Sequence, residues 1–328
     1  MSESSSRPGR RIVSLLPSAT EIVCALGLEA NLVGRSHECD YPASVVRLPA
    51  LTAPRFDPHG SSREIDERVR DIVERVLSVY QVDAVALREL HPDFIVTQSQ
   101  CEICAVSEDE VIRAVDDWTG ARPEVVSLGA MTLEDVWQDI ERVAVRLGVE
   151  DRGIRLGAQL RQRVGAITAR AARGPVSPKV VSLEWLDPLM GAGTWIPEMV
   201  TAAGGVNLKG AQGGHAPTIA LADLADADPD IIVAAPCGFS LEHSLEETMP
   251  LYRFPMWQQL RAVREGHVYA VDGNQYFNRP GPRIVESIEI LAEIFTDAFQ
   301  SGRSAYGHEG IAWRRVVDPP ALSVARQI

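Results

Sequence analysis

The stretch RIVSL, residues 11–15, recurs as KVVSL, residues 179–183. Each copy is a short β-branched run followed by turn residues and then a helix-like segment. Those segments are EIVCALGLEANLVG from Glu21 and EMVTAAGGVNLKG from Glu198, with the same spacing from Glu21 to Gly27 as from Glu198 to Gly204. A second pair follows: HPDFIVTQSQC ending at Cys101 and DPDIIVAAPC ending at Cys237, each a Pro-Asp turn feeding an apolar run. Apolar runs with little alternation belong to strands buried on both faces, and here they are interleaved with longer amphipathic segments. The pattern predicts the α/β class: two Rossmann-like lobes with parallel sheets.

Outward from these repeats, the spacing predicts a helix from the capping box Ser61–Glu64 through Ile65, Val69, Ile72, Val73, Val76, Leu77 and Tyr80. Thr132–Ala172 lacks proline and reads as helix with a break near Gly148, its second part joining the lobes. A helical connection is stiff and predicts modest opening and closing. The expected division is a flexible N-terminus at 1–10, an N-terminal lobe at 11–130, a helical connection at 131–173, a C-terminal lobe at 178–299 and a loosely packed tail at 300–328.

The 328 residues are 45% hydrophobic, enough for real cores, and carry a formal charge of −13. That balance argues against nucleic-acid and anionic-membrane surfaces, which need a local excess of Lys and Arg. Lys179 and Lys209 are the only lysines, which disfavours Schiff-base chemistry. Pro17, Ser18, Thr20 and Glu21 interrupt what an export signal would need as a continuous apolar core, and Glu21 spoils a lipoprotein reading of Cys24. No apolar run approaches the roughly 20 residues that cross a bilayer, so no membrane insertion is expected. The expectation is a cytoplasmic protein with its five cysteines reduced.

Several stretches taken together resemble one family. RIVSLLPSATEIVCALG, the DYP of SHECDYP, LHPDFIV, GAGTWIPEMVTAAGGVNL, GHVYAVD and NRPGPRIVESIEILA are similar to the helical-backbone (class III) periplasmic binding proteins, in their vitamin B12-binding, BtuF-like branch. The resemblance spans about Arg11 to Phe299. It implies two lobes joined by a long α-helix, a ligand cleft between lobes, and binding without catalysis. It also implies delivery to a membrane permease, which the cytoplasmic expectation opposes. The cysteines of SHECDYP and QSQCEICAV depart from the family's B12 binders and leave room for a different ligand.

Open α/β sheets bind ligands beyond the carboxyl ends of their strands. That rule selects Leu16, Pro17 and Ser18 after RIVSL; His37, Glu38, Cys39 and Tyr41 in SHECDYP; and Gln98 and Cys101 in QSQCEIC. In the second lobe it selects Glu184 and Trp185, Trp195 of GAGTW, the glycine-flanked His215, Cys237, and Tyr276 and Phe277 of GNQYFNRP. Asp40 reads as a turn-former and Cys24 as core. His91, His243 and His267 fall at turns outside the expected cleft and receive no role.

The CEIC spacing places Cys101 and Cys104 ahead of the helix that the Ser107–Glu110 capping box begins, which suits a metal knuckle better than a redox pair. With His37 and Cys39 they have the composition of a tetrahedral zinc or iron site; small thiols packed under a loop are the plainer alternative.

Three functions compete. The first is a non-catalytic binder of cobalamin or a related corrinoid or tetrapyrrole, with an imidazole or thiolate available to the central metal. The second keeps the fold but binds bare zinc or iron, or an iron–sulfur centre, through the cysteines. The third, an enzyme using thiols or Glu184 with His215 as acid and base, ranks last: no Ser-His-Asp order, phosphate loop or HExxH is present, and the glycines of 204–214 lead to no GKS or GKT.

Overall fold

The computed structural model describes residues 9–75, 79–99, 108–116, 122–174, 176–299 and 306–317. They form two compact units. The first runs to Leu160, except that Ser61–Arg63 and Met131–Leu133 belong with the second, which otherwise begins at Arg161.

The first unit contains, in chain order, β1 (Ile12–Ser14), α1 (Pro17–Ala25), β2 (Leu32–Arg35), β3 (Thr52–Pro54), α2 (Ser62–Glu74), β4 (Tyr80–Val82), α3 (Ala84–Glu89), β5 (Phe94–Gln98), α4 (Glu108–Asp116), β6 (Glu124–Leu128), α5 (Leu133–Arg146) and the start of α6 (Glu150–Ala171). Its four-stranded sheet has the order β2-β1-β5-β6, with every pair parallel. Val13, Leu15, Leu51, Leu87, Ile95 and Val111 are fully buried in one core cluster on this sheet. On α5, Leu133, Val136, Ile140 and Val143 recur at helical spacing and are buried, so one stripe holds the helix in place.

The expected helix from Ser61 ends sooner than its spacing suggests. α2 stops at Glu74, and Tyr80, expected as its last apolar position, lies instead in β4, antiparallel to β3 with Tyr80 opposite Pro54. A phenol suits a strand as well as a helix, and a pairing partner 26 residues upstream decides the matter. The break expected near Gly148 is present: its φ of +65° turns the chain between α5 and α6, and α6 then carries it into the second unit.

The second unit continues with β7 (Lys179–Leu186), β8 (Leu189–Gly191), α7 (Ile196–Ala202), β9 (Val206–Leu208), α8 (Leu221–Ala227), β10 (Ile231–Ala234), α9 (Leu241–Thr248), α10 (Pro255–Gln259), α11 (Arg261–Arg264), β11 (Val268–Val271), α12 (Ile284–Phe299) and β12 (Trp313–Arg315). Its sheet has the order β12-β11-β10-β7-β8, with β9 also on β7. β7, β9, β10 and β11 are parallel; β8 and β12 are antiparallel additions at the two ends. The first half of β7 pairs with β9 and the second half with β8, so its carboxyl end reaches past its parallel neighbours.

The repeats seen in the sequence are structural equivalents. β1 pairs with β5 as β7 pairs with β10. α1 and α7 end alike: Leu28 N–H donates to Val23 O at 3.1 Å and Gly205 N–H to Val200 O at 2.9 Å, around Gly27 and Gly204 in the left-handed region.

The tail expected to be loosely packed is not so over 306–317. β12 pairs with β11, and Trp313 is 2% exposed with its indole N–H donating to Glu293 Oε2 at 2.8 Å. A buried indole with a satisfied N–H anchors a segment that few other apolar residues hold.

Candidate functional site

In the first unit the selected residues gather where β1, β2 and β5 end. Pro17 opens α1 and Ser18 is buried in its first turn; Gln98, at the end of β5, is also buried. After β2, the backbone N–H of His37 donates to Thr52 Oγ1 at 3.0 Å, and the ring Nδ1 lies 2.7 Å from the same oxygen. Burial, then the positive charge of Arg35, lower the proton affinity of His37. Tyr80 OH donates to Glu38 Oε1 at 3.2 Å, and its ring packs 5.5 Å from the imidazole. Tyr41 is exposed.

Cys39 belongs to the interior, at 1% exposure. Ser14 Oγ donates to Leu16 O at 3.1 Å and so accepts from Thr20 Oγ1, 2.8 Å away. Thr20 Oγ1 also lies 3.0 Å from Cys39 Sγ, so the hydroxyl bridges Ser14 and the thiol. Cys24 is half-buried rather than wholly in the core, and burial, with Glu29, Glu21 and Cys39 nearby, pushes its thiol up to about 12. Cys101 and Cys104 lie outside the described residues, as does Ser107 of the capping box. Among the described residues no group of three or more His, Cys, Asp or Glu is placed to hold a metal ion.

The second unit assembles a richer set at the ends of β7, β10 and β11. Glu184 Oε2 accepts the N–H of Gly193 at 3.1 Å, and the N–H of Cys237 donates to Glu184 O at 3.1 Å, tying the β10 end to β7. Removal from water pushes the Glu184 carboxyl above the ordinary carboxylate range, against the pull of the Gly193 N–H and of His215. His215 is exposed, on a loop that packs on Gly193 so closely that a side chain there would meet Ala216 N at 2.7 Å.

Trp185 is half-buried, and its indole Nε1 is shielded from solvent without a hydrogen-bond partner. Its ring centroid is 5.2 Å from that of Phe239, which stacks on His243 at 3.8 Å and 9°. Phe239 did not stand out in the sequence, and His243, expected at a turn outside the cleft, lies instead in the first turn of α9, stacked on Phe239. Trp195 and Phe277 are 5% and 0% exposed and bind each other, Trp195 Nε1 donating to Phe277 O at 2.9 Å, so they hold the loops together from inside. Tyr276, by contrast, is half-buried under the guanidinium of Arg283, 4.5 Å from the ring centroid.

No helix among the described residues is long and apolar enough to cross a membrane. Comparison with known proteins agrees with this architecture. The chain is 23% identical over 296 residues to a vitamin B12-binding protein of Vibrio cholerae, covering 86% of this chain and 87% of the relative. It is 25% identical over 303 residues to YvrC, an uncharacterized ABC transporter substrate-binding lipoprotein of Bacillus subtilis, covering 89% and 82%. Among solved structures, the vitamin B12-binding protein BtuF of Vibrio cholerae superposes with a TM-score of 0.65 at 20% identity, covering 90% of this chain and 99% of that one. The heme-binding protein RhuT of Roseiflexus sp. RS-1 gives a TM-score of 0.65 at 24% identity, covering 89% and 100%. A family model described as periplasmic binding protein matches residues 12–274, most of the chain. The chain therefore belongs to the periplasmic binding protein family, in agreement with its resemblance to the BtuF-like branch.

Proposed function

We propose that this protein binds cobalamin, or a related corrinoid or tetrapyrrole, without catalysing a reaction on it, and that Glu184, Trp185, His215 and Cys237 are among its ligand contacts. The observation that carries this reading is the aromatic row Trp185, Phe239 and His243, with a sequestered, unpartnered indole N–H on Trp185. Large planar ligands are held by aromatic faces plus a few fixed polar groups, and the half-buried Glu184 carboxyl, the Trp185 N–H and the exposed His215 imidazole supply such groups. Relatives named for vitamin B12 and for heme support a macrocyclic ligand.

His215 is a better axial ligand than His37, whose Nδ1 is engaged with Thr52. The test is titration of the purified protein with cobalamin and with haem, followed by absorbance and by heat. One equivalent bound at about micromolar Kd, with a spectral change lost in His215→Ala and kept in His37→Ala, is the expected result. No binding of either macrocycle below millimolar concentration overturns the reading.

A further inference from the structure

The family match ends at residue 274, within the loop that carries Tyr276. Beyond it, the segment Tyr306–Val317 returns to α12, where two carboxylates receive it. Glu293 accepts the backbone N–H groups of Gly307 and of His308, the latter at 3.0 Å, and the indole N–H of Trp313. Glu289 divides its oxygens: Oε1 accepts from Arg163 at 2.8 Å, and Oε2 lies 3.2 Å from His308 Nε2. A carboxylate only accepts, so Nε2 carries the proton. The ring of His308 then meets the ring of Tyr276 edge to face, with centroids 6.3 Å apart at 69°. Tyr276 also lies under Arg283, whose guanidinium donates to Gln275 Oε1 at 3.0 Å.

We propose that His308 is a positioning residue for ligand binding: gripped by Glu289, it sets the ring of Tyr276 on the strand-end loop, and its charge tunes how tightly that loop holds a ligand. This rests on the macrocycle-binding reading for the ligand and adds Tyr276 to its contacts.

The groups around His308 favour its charged form. Glu286, Glu289 and Glu293 approach from α12, while Arg163 from α6 is paired to Glu289 and Arg283 is over Tyr276. Tyr306, in the same segment, is covered by Arg170, and Glu309 follows His308 directly. The hydrogen bond with Glu289 outweighs burial and raises His308 above the ordinary imidazole range. For a group raised on folding, the contribution is complete below the ordinary histidine value of about 6.5 and fades as pH climbs through the raised value. Losing that charge loosens the grip of Glu289 on the ring against which Tyr276 packs, so ligand affinity is expected to fall with rising pH.

The experiment has two arms, each on the full chain. Cobalamin and haem affinities are measured from about pH 6 to about pH 9 for wild type, His308→Gln and Glu289→Gln; wild type should weaken roughly three- to tenfold over that range, His308→Gln should be flat, and Glu289→Gln should shift the midpoint downward. Without ligand, the ring NMR signals of Tyr276, identified by their loss in Tyr276→Phe, should titrate with the midpoint of His308. An unchanged slope in His308→Gln, or a Tyr276 ring that ignores His308, overturns the proposal. If neither macrocycle binds at any pH, the ligand reading falls and the Tyr276 arm alone decides the role of His308. Should His308→Gln fail to fold, Glu289→Gln must shift the Tyr276 and His308 midpoints together or the proposal fails.

Discussion

Asp93 and Asp230 occupy the same station in the two units. The carboxylate of Asp93 accepts the backbone N–H of Arg11 at 2.8 Å, that of Asp230 accepts the N–H of Lys179 at 2.7 Å, and each aspartate returns its own N–H to the same residue's carbonyl at 2.8 Å. Each Pro-Asp turn therefore clips the strand it leads into onto the first strand of its unit. Replacing either aspartate by alanine should cost about 1 kcal/mol, and asparagine, which keeps an acceptor, should recover much of it. Urea denaturation of the four variants checks this; alanine variants as stable as wild type would show that the clips are incidental.

Trp185 should matter to binding far more than to folding. Trp185→Ala should weaken macrocycle affinity at least about tenfold, since one aromatic contact is worth on the order of 1 kcal/mol or more beyond its buried area. Trp185→Phe should retain most of it. Phe239→Ala should fall between, because Phe239 joins Trp185 to His243. Calorimetric titration at one pH ranks the three.

Glu184 gives a pH signature in stability. Its carboxyl is raised by burial, so the folded state prefers it protonated; its stabilising contribution is complete below the ordinary carboxylate range and is lost as pH rises through the raised value. Glu184→Gln keeps an acceptor for Gly193 N–H and removes the charge. The variant should gain on wild type with rising pH and show little difference in acid, as followed by thermal melts across the range.

The Ser14–Thr20–Cys39 chain gives a test of the first unit. Thr20→Val removes the hydroxyl that both Ser14 and Cys39 meet in the interior and should destabilise by about 1–3 kcal/mol. Cys39 should resist alkylation in the folded protein, being 1% exposed, and react once the chain is unfolded. Rapid labelling of Cys39 in native buffer, read by peptide mass, would contradict its placement.

The parallel strands were legible because RIVSL, KVVSL, FIV and IIV are buried on both faces and cannot alternate, and the helical stretch around Gly148 because nothing in it competes with a helix. Tyr80 was not legible: its spacing fits α2, and only the pairing with Pro54 pulls it into a strand. The strand-end rule reached Glu184 and Trp185, yet Phe239 and His243 needed coordinates, since a stack between loop and helix leaves no period in a sequence. The 306–317 segment was hidden for a similar reason. Its hold is a set of hydrogen bonds to Glu289 and Glu293, and glutamates on an apolar helix read as its solvent face until their partners are known.

The antiparallel β12 also governs how separate copies of this chain treat one another. With Tyr269 opposite Arg315 and Val271 opposite Trp313, the outer edge of β11 is already occupied, and the outermost strand shows two arginines to its surroundings. A truncated protein ending at Phe299 would bare an apolar VYAV ladder whose amide and carbonyl groups seek a replacement strand, and a neighbouring molecule is the nearest source. Clumping on expression, cured by restoring this short piece, is the behaviour to expect of such a cut.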